Sequence, residues 1–552
     1  MHAQIRVTIH GMRIFIALLL GSALLFVGLG AQGAATLPTL PQATVDTTYS
    51  LPTGTTHRPA NSAAFATALT NAALNDVIVL TAGVTYTGPF TLPNKTTGSG
   101  WIYIVSSALG SLPPVGARVG IADGANMPVI TASAPNSAIV TADTAHHFRF
   151  VGIQFQPGSG SVLQTGVVVL GNSDTSTATL PHHIIFDRCY LHGDATNGGR
   201  RGIAVNGDYI GVVESYISNF WEAGSDSNAI WGYNGRGPFK IYNNYLEAAS
   251  ENVMFGAADP AITNLVPSDI TIQRNTFFKP LAWVGAGKNT KNLLEFKNGR
   301  RILIEGNIFQ NVWQDAQSGF AIVITPRNSF NIAPWSTVED LTIRYNKFTN
   351  VGQGFQISGT DDAFPSQITN RVLIEQNLIL VNVIVDESNR IFQIGNPVSQ
   401  AAAGPNNLTI RHNTGLILTA ARGASMFLIR NGATKGDLFD GNDNLLHMGN
   451  YGVFDVVKNT EGTAALTYTF TNYTFTKNAI TGSSGTYPAG NFFPANNAAV
   501  GFVDFAGGNY ALTSASSLHN AASDGTDVGA NIAAIAAAIS GRFPAPRNLR
   551  VQ

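Results

Sequence analysis

Apolar residues along this chain follow two rhythms. Within short stretches they alternate with polar ones, and the stretches themselves recur. The fragment ILIEGNIF (302–309) returns as ITIQRNTF (270–277), LTIRYNKF (341–348) and VLIEQNLI (372–379), with LTIRHNTG (408–415) and FKIYNNYL (239–246) alongside. Looser copies are FRFVGIQF (148–155), IIFDRCYL (184–191) and IGVVESYI (210–217). One position is asparagine in the closer copies, at Asn244, Asn275, Asn307, Asn346, Asn377 and Asn413, with steps of 31, 32, 39, 31 and 36 residues. Ile153, Cys189 and Ser215 hold it in the early copies. Period-two alternation on both sides of the asparagine predicts strand, turn, strand. Asparagine tolerates the left-handed backbone of such a turn, and its amide can bond the turn of the next copy, giving a ladder. No copy can bury its own apolar face, so the copies must stack as a solenoid, with the variable steps looping out as insertions.

These residues resemble the right-handed parallel β-helix repeat of pectate-lyase-like proteins, over roughly residues 60 to 515. The resemblance implies an all-β solenoid with three strands per coil. The asparagine turn would divide the second strand from the third, and the outward face of the first strand would floor a substrate groove. LLEFKN (293–298) is then a first strand, with Leu294 and Phe296 inward and Glu295 and Lys297 outward. GIAVNG (202–207), AIWGYN (229–234), NVMFGA (252–257), AIVITPRN (321–328), GFQISG (354–359), IFQIGN (391–396) and FLIRNG (427–432) take the same register. NSAAFATALTNA (61–72) reads as an N-terminal capping helix over a first coil, DVIVLTAGVTYTG (76–88). After Asp443 the repeat fades, and 500–539 reads as a closing strand, a turn and a short C-terminal capping helix. The expected layout is a leader (1–33), a linker (34–60), the β-helix with its N-terminal cap (61–515), and a C-terminal cap and tail (516–552). A second catalytic domain is not expected.

Composition narrows the partners. The net charge is −1 with 12% charged residues, and the chain has no basic run, so nucleic acid is not expected. The 57 glycines fit a turn-rich β protein. Arg6 and Arg13 precede the apolar IFIALLLGSALLFVGLG (14–30) and the small residues AQG (31–33), the form of a cleavable export signal, with an uncleaved membrane anchor as the alternative. The mature chain is expected to be secreted or otherwise extracytoplasmic, periplasmic or at the cell surface, off the membrane and monomeric. Cys189 is the single cysteine, so an intrachain disulfide is excluded and the thiol reads as core filler. GLGAQG (28–33) has dinucleotide-motif spacing but lies in the leader, outside any strand–helix context.

Charge on the presumed groove face gathers at LLEFKN and its neighbours, with Glu251 and Asn252 in AASENV (248–253) and Arg327 in TPRN (325–328). Cleaving a uronate glycan by β-elimination needs a base to remove the proton beside a carboxylate and a cation to neutralise that carboxylate. A crowded or desolvated lysine can be the base, and oxygen-bound calcium the neutraliser. The resemblance therefore implies, first, a polysaccharide lyase acting on an acidic glycan. Lys297 would be the base, Arg327 would steady the substrate carboxylate, and Glu295 would orient the lysine. Glu251, Asn252 and Glu295 would hold Ca2+ or orient the lysine, and Trp231, Tyr233, Asn206 and Gln356 would bind sugar. One alternative is a non-catalytic glycan-binding solenoid with Trp231 and Tyr233 as a stacking platform. Another is a glycoside hydrolase using Glu251 with Glu295, about 5 Å apart by strand spacing. Glu295 with Lys297 also reads as a plain surface ion pair, worth little.

Other motifs carry less. NTD, GHG and RIK, expected of a polygalacturonase-type hydrolase, are absent, and the Asp361–Asp362 pair falls in a loop insertion. RFPAPR (542–547) has pectate-lyase spacing but lies in the tail. DGNDN (440–444) lacks the glycine and distal glutamate of a calcium loop. The doublets His146–His147 and His182–His183 hold equivalent places in two coils. Neither has an evident third ligand, so stacking in the turns is expected ahead of zinc binding.

Overall fold

A coil of three short strands has no hydrogen-bond partners within itself, so its backbone must be satisfied by the coils above and below. The computed structural model describes residues 34–541, apart from 133–134, 159–165, 172–173, 386–387, 396–401, 420–422, 431, 433 and 484. Each coil gives one strand to each of three sheets, as in Leu294–Phe296 (sheet 1), Gly299–Glu305 (sheet 2) and Ile308–Val312 (sheet 3). Among the described residues the sheets run to 13, 14 and 13 strands, each paired with its equivalent one coil away. Ile270, Ile302, Leu341, Val372 and Leu408 stand in one such register. This is the expected all-β parallel β-helix.

Inward side chains repeat from coil to coil and stack on themselves. Phe277, Phe309 and Phe348 lie with ring centroids 4.5 and 4.6 Å apart, and Phe355, Phe392 and Phe427 at 5.3 and 4.9 Å. Aromatic pairs at such spacing add about 0.5–1.5 kcal/mol beyond their buried area. Cys189 is fully buried in the same core, as expected, and burial pushes its thiol up to about 12.

The asparagine turn departs from expectation in one respect. The left-handed residue is the one before each asparagine, with φ of 55° at Asn243, 58° at Arg274, 66° at Gly306, 55° at Tyr345 and 56° at Gln376. The asparagine itself is the rung. Asn346 Oδ1 accepts from Asn307 N at 2.9 Å and Asn307 Nδ2 at 3.0 Å, while its own Nδ2 donates to Ile304 O and Arg344 O. The ladder continues past Asn413 to Asn444, Asn478 and Asn491. Coils therefore persist beyond Asp443, where the apolar alternation weakens.

The ends close differently from each other. The Ser62–Asn71 helix, capped by Asn61, sends Phe65 and Leu69 into the core, as expected of the N-terminal cap. At the other end the plug is the Gly462–Thr469 helix, whose Ala465 and Leu466 join the core with Phe470. The Ile532–Ile539 helix, expected to be that cap, instead packs outside sheet 3, where Ile535 shares a second cluster with Leu378, Leu380, Leu416 and Leu445. Residues 34–50, expected to be a linker, are a strap running backwards along the outside of sheet 2. Backbone amides of Ala35, Thr36, Thr39 and Gln42 donate in turn to Asp440, Asn407, Asp340 and Asp269, and Ser50 reaches Tyr103. Neither the strap nor the Ile532–Ile539 helix packs on sheet 1. Residues 1–33, expected to be a leader, and RFPAPR lie outside the described residues, among which no helix is long and apolar enough to cross a membrane.

The rungs are testable. Asn346→Ala orphans the buried backbone N–H of Asn307, whose side-chain amide keeps the carbonyls of Ile272 and Glu305, and an unsatisfied buried group costs about 1–3 kcal/mol. Denaturant unfolding should show a loss of about 1–3 kcal/mol by that rule. An unchanged midpoint would mean that the rungs contribute nothing.

Candidate functional site

The outward column of sheet 1 runs in register through Ala204, Trp231, Met254, Glu295, Val323, Gln356 and Gln393. A second outward column, at the opening of the strands, aligns Arg201, Asn228 and Glu251. Met254, not Glu251, is therefore the cross-strand neighbour of Glu295, which corrects the strand-spacing estimate for the two carboxylates.

The columns are tied by polar contacts. Arg201 Nε donates to Asn228 Oδ1 at 3.1 Å, and Asn228 Nδ2 donates to Glu251 Oε2 at 3.0 Å. Lys291 bonds Asp226 and lies 3.9 Å from Glu251 Oε1. Asn292 Nδ2 donates to Glu295 Oε2 at 3.1 Å, and Lys297 Nζ stands 3.5 Å from Glu295 Oε1. Glu251 and Glu295 are buried, whereas the side chains of Lys291, Lys297 and Asp226 are 14%, 16% and 30% exposed. Two lysines thus sit at the surface, each backed by a buried glutamate.

Electrostatics sort the acids. Burial, and then the charge of Glu295, push Glu251 up to about 7, against the opposing pull of Lys291 and Lys297. Asp226 moves the other way. Its burial raises the pKa, but the hydrogen bond and charge of Lys291 outweigh that and bring it below the usual aspartate value. Burial lowers Arg201 to about 10.

The expected site residues fall into two groups. Glu251, Glu295 and Lys297 belong to one cluster. Arg327 adjoins it through the backbone, its N–H donating to Lys297 O at 2.9 Å, but its guanidinium is held by Asp361 at 2.8 Å and by Asp362. The aspartate pair of the loop insertion thus serves to fix that arginine. Asn206 staples a turn, its Oδ1 accepting from Tyr233 N and Asn234 N. Trp231 is only 7% exposed, with the Arg201 guanidinium 4.0 Å from its ring centroid and the Tyr233 ring at 4.7 Å. Its ring is therefore no open platform for sugar, and Tyr233 is the half-buried outer partner. Gln356 lies in the outward column beside Val323 and Gln393.

Asn252 is turned inward, which revises the calcium grouping. Its Nδ2 donates to Leu246 O and Phe278 O, and its Oδ1 accepts from Lys279 Nζ at 3.0 Å. Lys279 is fully buried and also donates to the carbonyls of Ala248, Ala249 and Ser250 at 2.7–2.8 Å. Burial pushes this ammonium's pKa down, while four oxygen acceptors with no donor among them hold its proton. With Asn252 so engaged and each glutamate faced by a lysine, the three residues do not make a calcium donor set.

Strand parity explains the slip. Asn252 and Val253 both face inward, as do the pairs Ala229–Ile230, Leu293–Leu294 and Ala321–Ile322, because the chain turns its corner there. Sequence reasoning also missed Arg201, Asn228, Asp226 and Lys291. The first two open RGIAV and NAIWG, two places before an inward isoleucine, as Glu251 stands two places before Val253. Asp226 and Lys291 sit in loops, where periodicity carries no signal. A concavity of about 570 Å³ lies elsewhere, lined by Arg236, Arg300, Arg301 and Asp269. Asp208 and Asp269 already pair two of those arginines, so the chemistry is placed by the sheet 1 cluster rather than by volume.

No protein-family model matches the chain, and no curated protein does. Among solved structures, the catalytic unit of a thermostable GH87 α-1,3-glucanase from Streptomyces thermodiastaticus strain HF3-3 aligns at TM-score 0.50 and 13% identity, over 81% of this chain and 71% of that one. A PL6 family alginate lyase aligns at TM-score 0.48 and 13% identity, over 79% of this chain and 53% of that one. The chain thus spans about half the length of that lyase. Pectate lyase Pel9A aligns at TM-score 0.30 and 11% identity, over 87% of this chain and 97% of that one. Likeness at such identities establishes the fold alone.

The raised pKa of Glu251 has a stability signature. Below the unfolded value both states are protonated and the group contributes nothing. Between the ordinary value of 4.5 and about 7 the unfolded state is ionised while the folded one keeps its proton, so folding is progressively disfavoured, and above about 7 both are ionised and the loss levels off. Wild-type stability relative to Glu251→Gln should therefore fall as pH rises from 4.5 to about 7 and stay level above that. Denaturation midpoints that shift in parallel would contradict the burial argument.

Proposed function

We propose that this protein binds an acidic polysaccharide along sheet 1 and cleaves it by β-elimination. The observation that carries this reading is the presentation of Lys291 and Lys297 at the surface, each backed by a buried glutamate. A uronate carboxylate docked on the Lys291 ammonium has its charge offset where the carbanion-like transition state needs it. Lys297, in its amine form, takes the proton from the carbon beside that carboxylate. The electron pair becomes a carbon–carbon double bond, the bond to the neighbouring sugar's bridging oxygen breaks, and the protonated lysine returns its proton to that oxygen. Glu295 and Asn292 orient Lys297, and Asp226 with Glu251 hold Lys291 in the neutralising role first expected of Arg327. No step is routed through calcium.

A second reading, glycoside hydrolysis, is favoured by one observation. Lys291 lies between Glu251, whose pKa is pushed up, and Asp226, whose pKa is pulled down. Carboxyl groups driven apart in this way divide into acid and base.

Purified protein incubated with a panel of uronate and neutral polysaccharides separates the readings. Lyase action yields new ultraviolet absorbance from an unsaturated product, hydrolysis yields reducing ends without it, and retention without cleavage leaves a binding solenoid. Lys297→Ala should lower kcat by about 10²-fold or more, the usual worth of a general base. Lys291→Ala should chiefly raise KM for uronate substrates. Turnover unchanged in Lys297→Ala would sink the β-elimination scheme. Activity is expected to be equal with added calcium and with chelator, and dependence on calcium would restore the donor set set aside above.

A further inference from the structure

The two histidine doublets open successive strands of sheet 2, His146–Val151 and His182–Asp187, with His182 in register on His146. Side chains of consecutive strand residues ordinarily point to opposite faces. Here the second histidine of each doublet is left-handed, φ 59° at His147 and 54° at His183, which swings it alongside the first. Within each doublet the two Nδ1 atoms face one another at 2.8 Å. Stacking of the coils then lays one doublet on the other, His146 over His182 at 4.9 Å and His147 over His183 at 4.6 Å between ring centroids, nearly parallel. The third ligand that neither doublet has alone is supplied by its neighbour. Ligand atoms of His147, His182 and His183 all lie within 4.8 Å of one another.

The proton inventory leaves room for a cation. His146 Nε2 is 2.8 Å from the Lys95 carbonyl, which can only accept, so that nitrogen carries the proton and His146 Nδ1 bears a lone pair. His147 must then donate from Nδ1, and a shift of that one proton to its Nε2 frees a second lone pair. Two imidazole ligands at the usual zinc–nitrogen length of about 2.0–2.1 Å stand about 3 Å apart, close to the spacing already built into each doublet. The ring planes are held by Tyr209, stacked on His183 at 4.3 Å, and by Trp101, edge-on to His147 at 5.0 Å. A concavity of about 450 Å³ bordered by Asp46, Trp101, Arg149, His183 and Tyr209 gives access from solvent.

We propose that this histidine quartet binds one borderline divalent transition-metal ion, of the Zn2+ class, through ring nitrogens of His147, His182 and His183, with His146 adjoining. An all-imidazole donor set selects zinc, nickel or copper over calcium or magnesium. The ion ties two neighbouring coils and lies apart from the sheet 1 cluster, so the inference is independent of the catalytic reading.

Zinc titration of the purified full chain against a chromogenic chelator tests it, with Co2+ absorption reporting nitrogen coordination. The expected result is one ion per chain, and a zinc-dependent rise in unfolding temperature. The double variant H147F/H183F keeps the aromatic stack on Tyr209 but removes two donors, and should weaken zinc binding at least tenfold and abolish the thermal shift. If that variant does not fold, H182Q carries the same expectation. Wild-type protein that binds no zinc at one equivalent, or variants that bind it as tightly as wild type, would overturn the proposal.

Discussion

Everything in this molecule depends on coils stacking in register, because no coil can satisfy its backbone or bury its apolar face alone. The parallel sheets supply the repeating hydrogen bonds, and the asparagine rungs fix each coil against sliding on the next. A side chain that both accepts from one coil and donates to another reads register directly, since a one-residue slip would leave its buried amide unpaired. At Ser215, where asparagine is missing, the hydroxyl takes over the accepting role, with Cys189 N donating to it at 3.0 Å, and itself donates to Val213 O within its own coil.

That regularity makes the candidate site possible. A parallel stack places equivalent residues of successive coils about 4.8 Å apart, so charged side chains from coils far apart in sequence meet on sheet 1 without any loop having to fold precisely. Glu251 and Glu295 are tolerable beneath the surface only because Asn228, Asn292 and the two lysines meet them there. The desolvation that keeps Glu251 from ionising easily comes from the same burial that sets the two glutamates beneath the lysines.

Much of the fold was legible in the sequence because its signals are local. Alternation around a recurrent asparagine names two strands, a turn and the stacking direction, and the run NSAAFATALTNA (61–72) names the N-terminal helix. Other features left no such trace. The left-handed turn position is filled by Asn243, Arg274, Gly306, Tyr345 and Gln376, a set with nothing in common but its place. The site was half legible. Glu295 and Lys297 stood out because charge within an apolar strand is rare, whereas Asn252 was misassigned where the two-residue rhythm breaks at a corner. Asp226 and Lys291 come from loops of irregular length. Neither helix propensity nor alternation distinguishes the Gly462–Thr469 plug from the Ile532–Ile539 helix that lies along the outside.

The strap formed by residues 34–50 has a consequence for assembly. Its docking partners appear along the chain in reverse, Tyr103 and Arg149 early, Asp269 and Asp340 midway, and Asn407 and Asp440 last. During synthesis it can therefore seat only from its far end backwards, like a zip drawn toward its own start, one coil at a time. Ala35, among the first residues made, finds its partner only after four hundred others exist, so a fully seated strap reports that the stack has been built as far as Asp440.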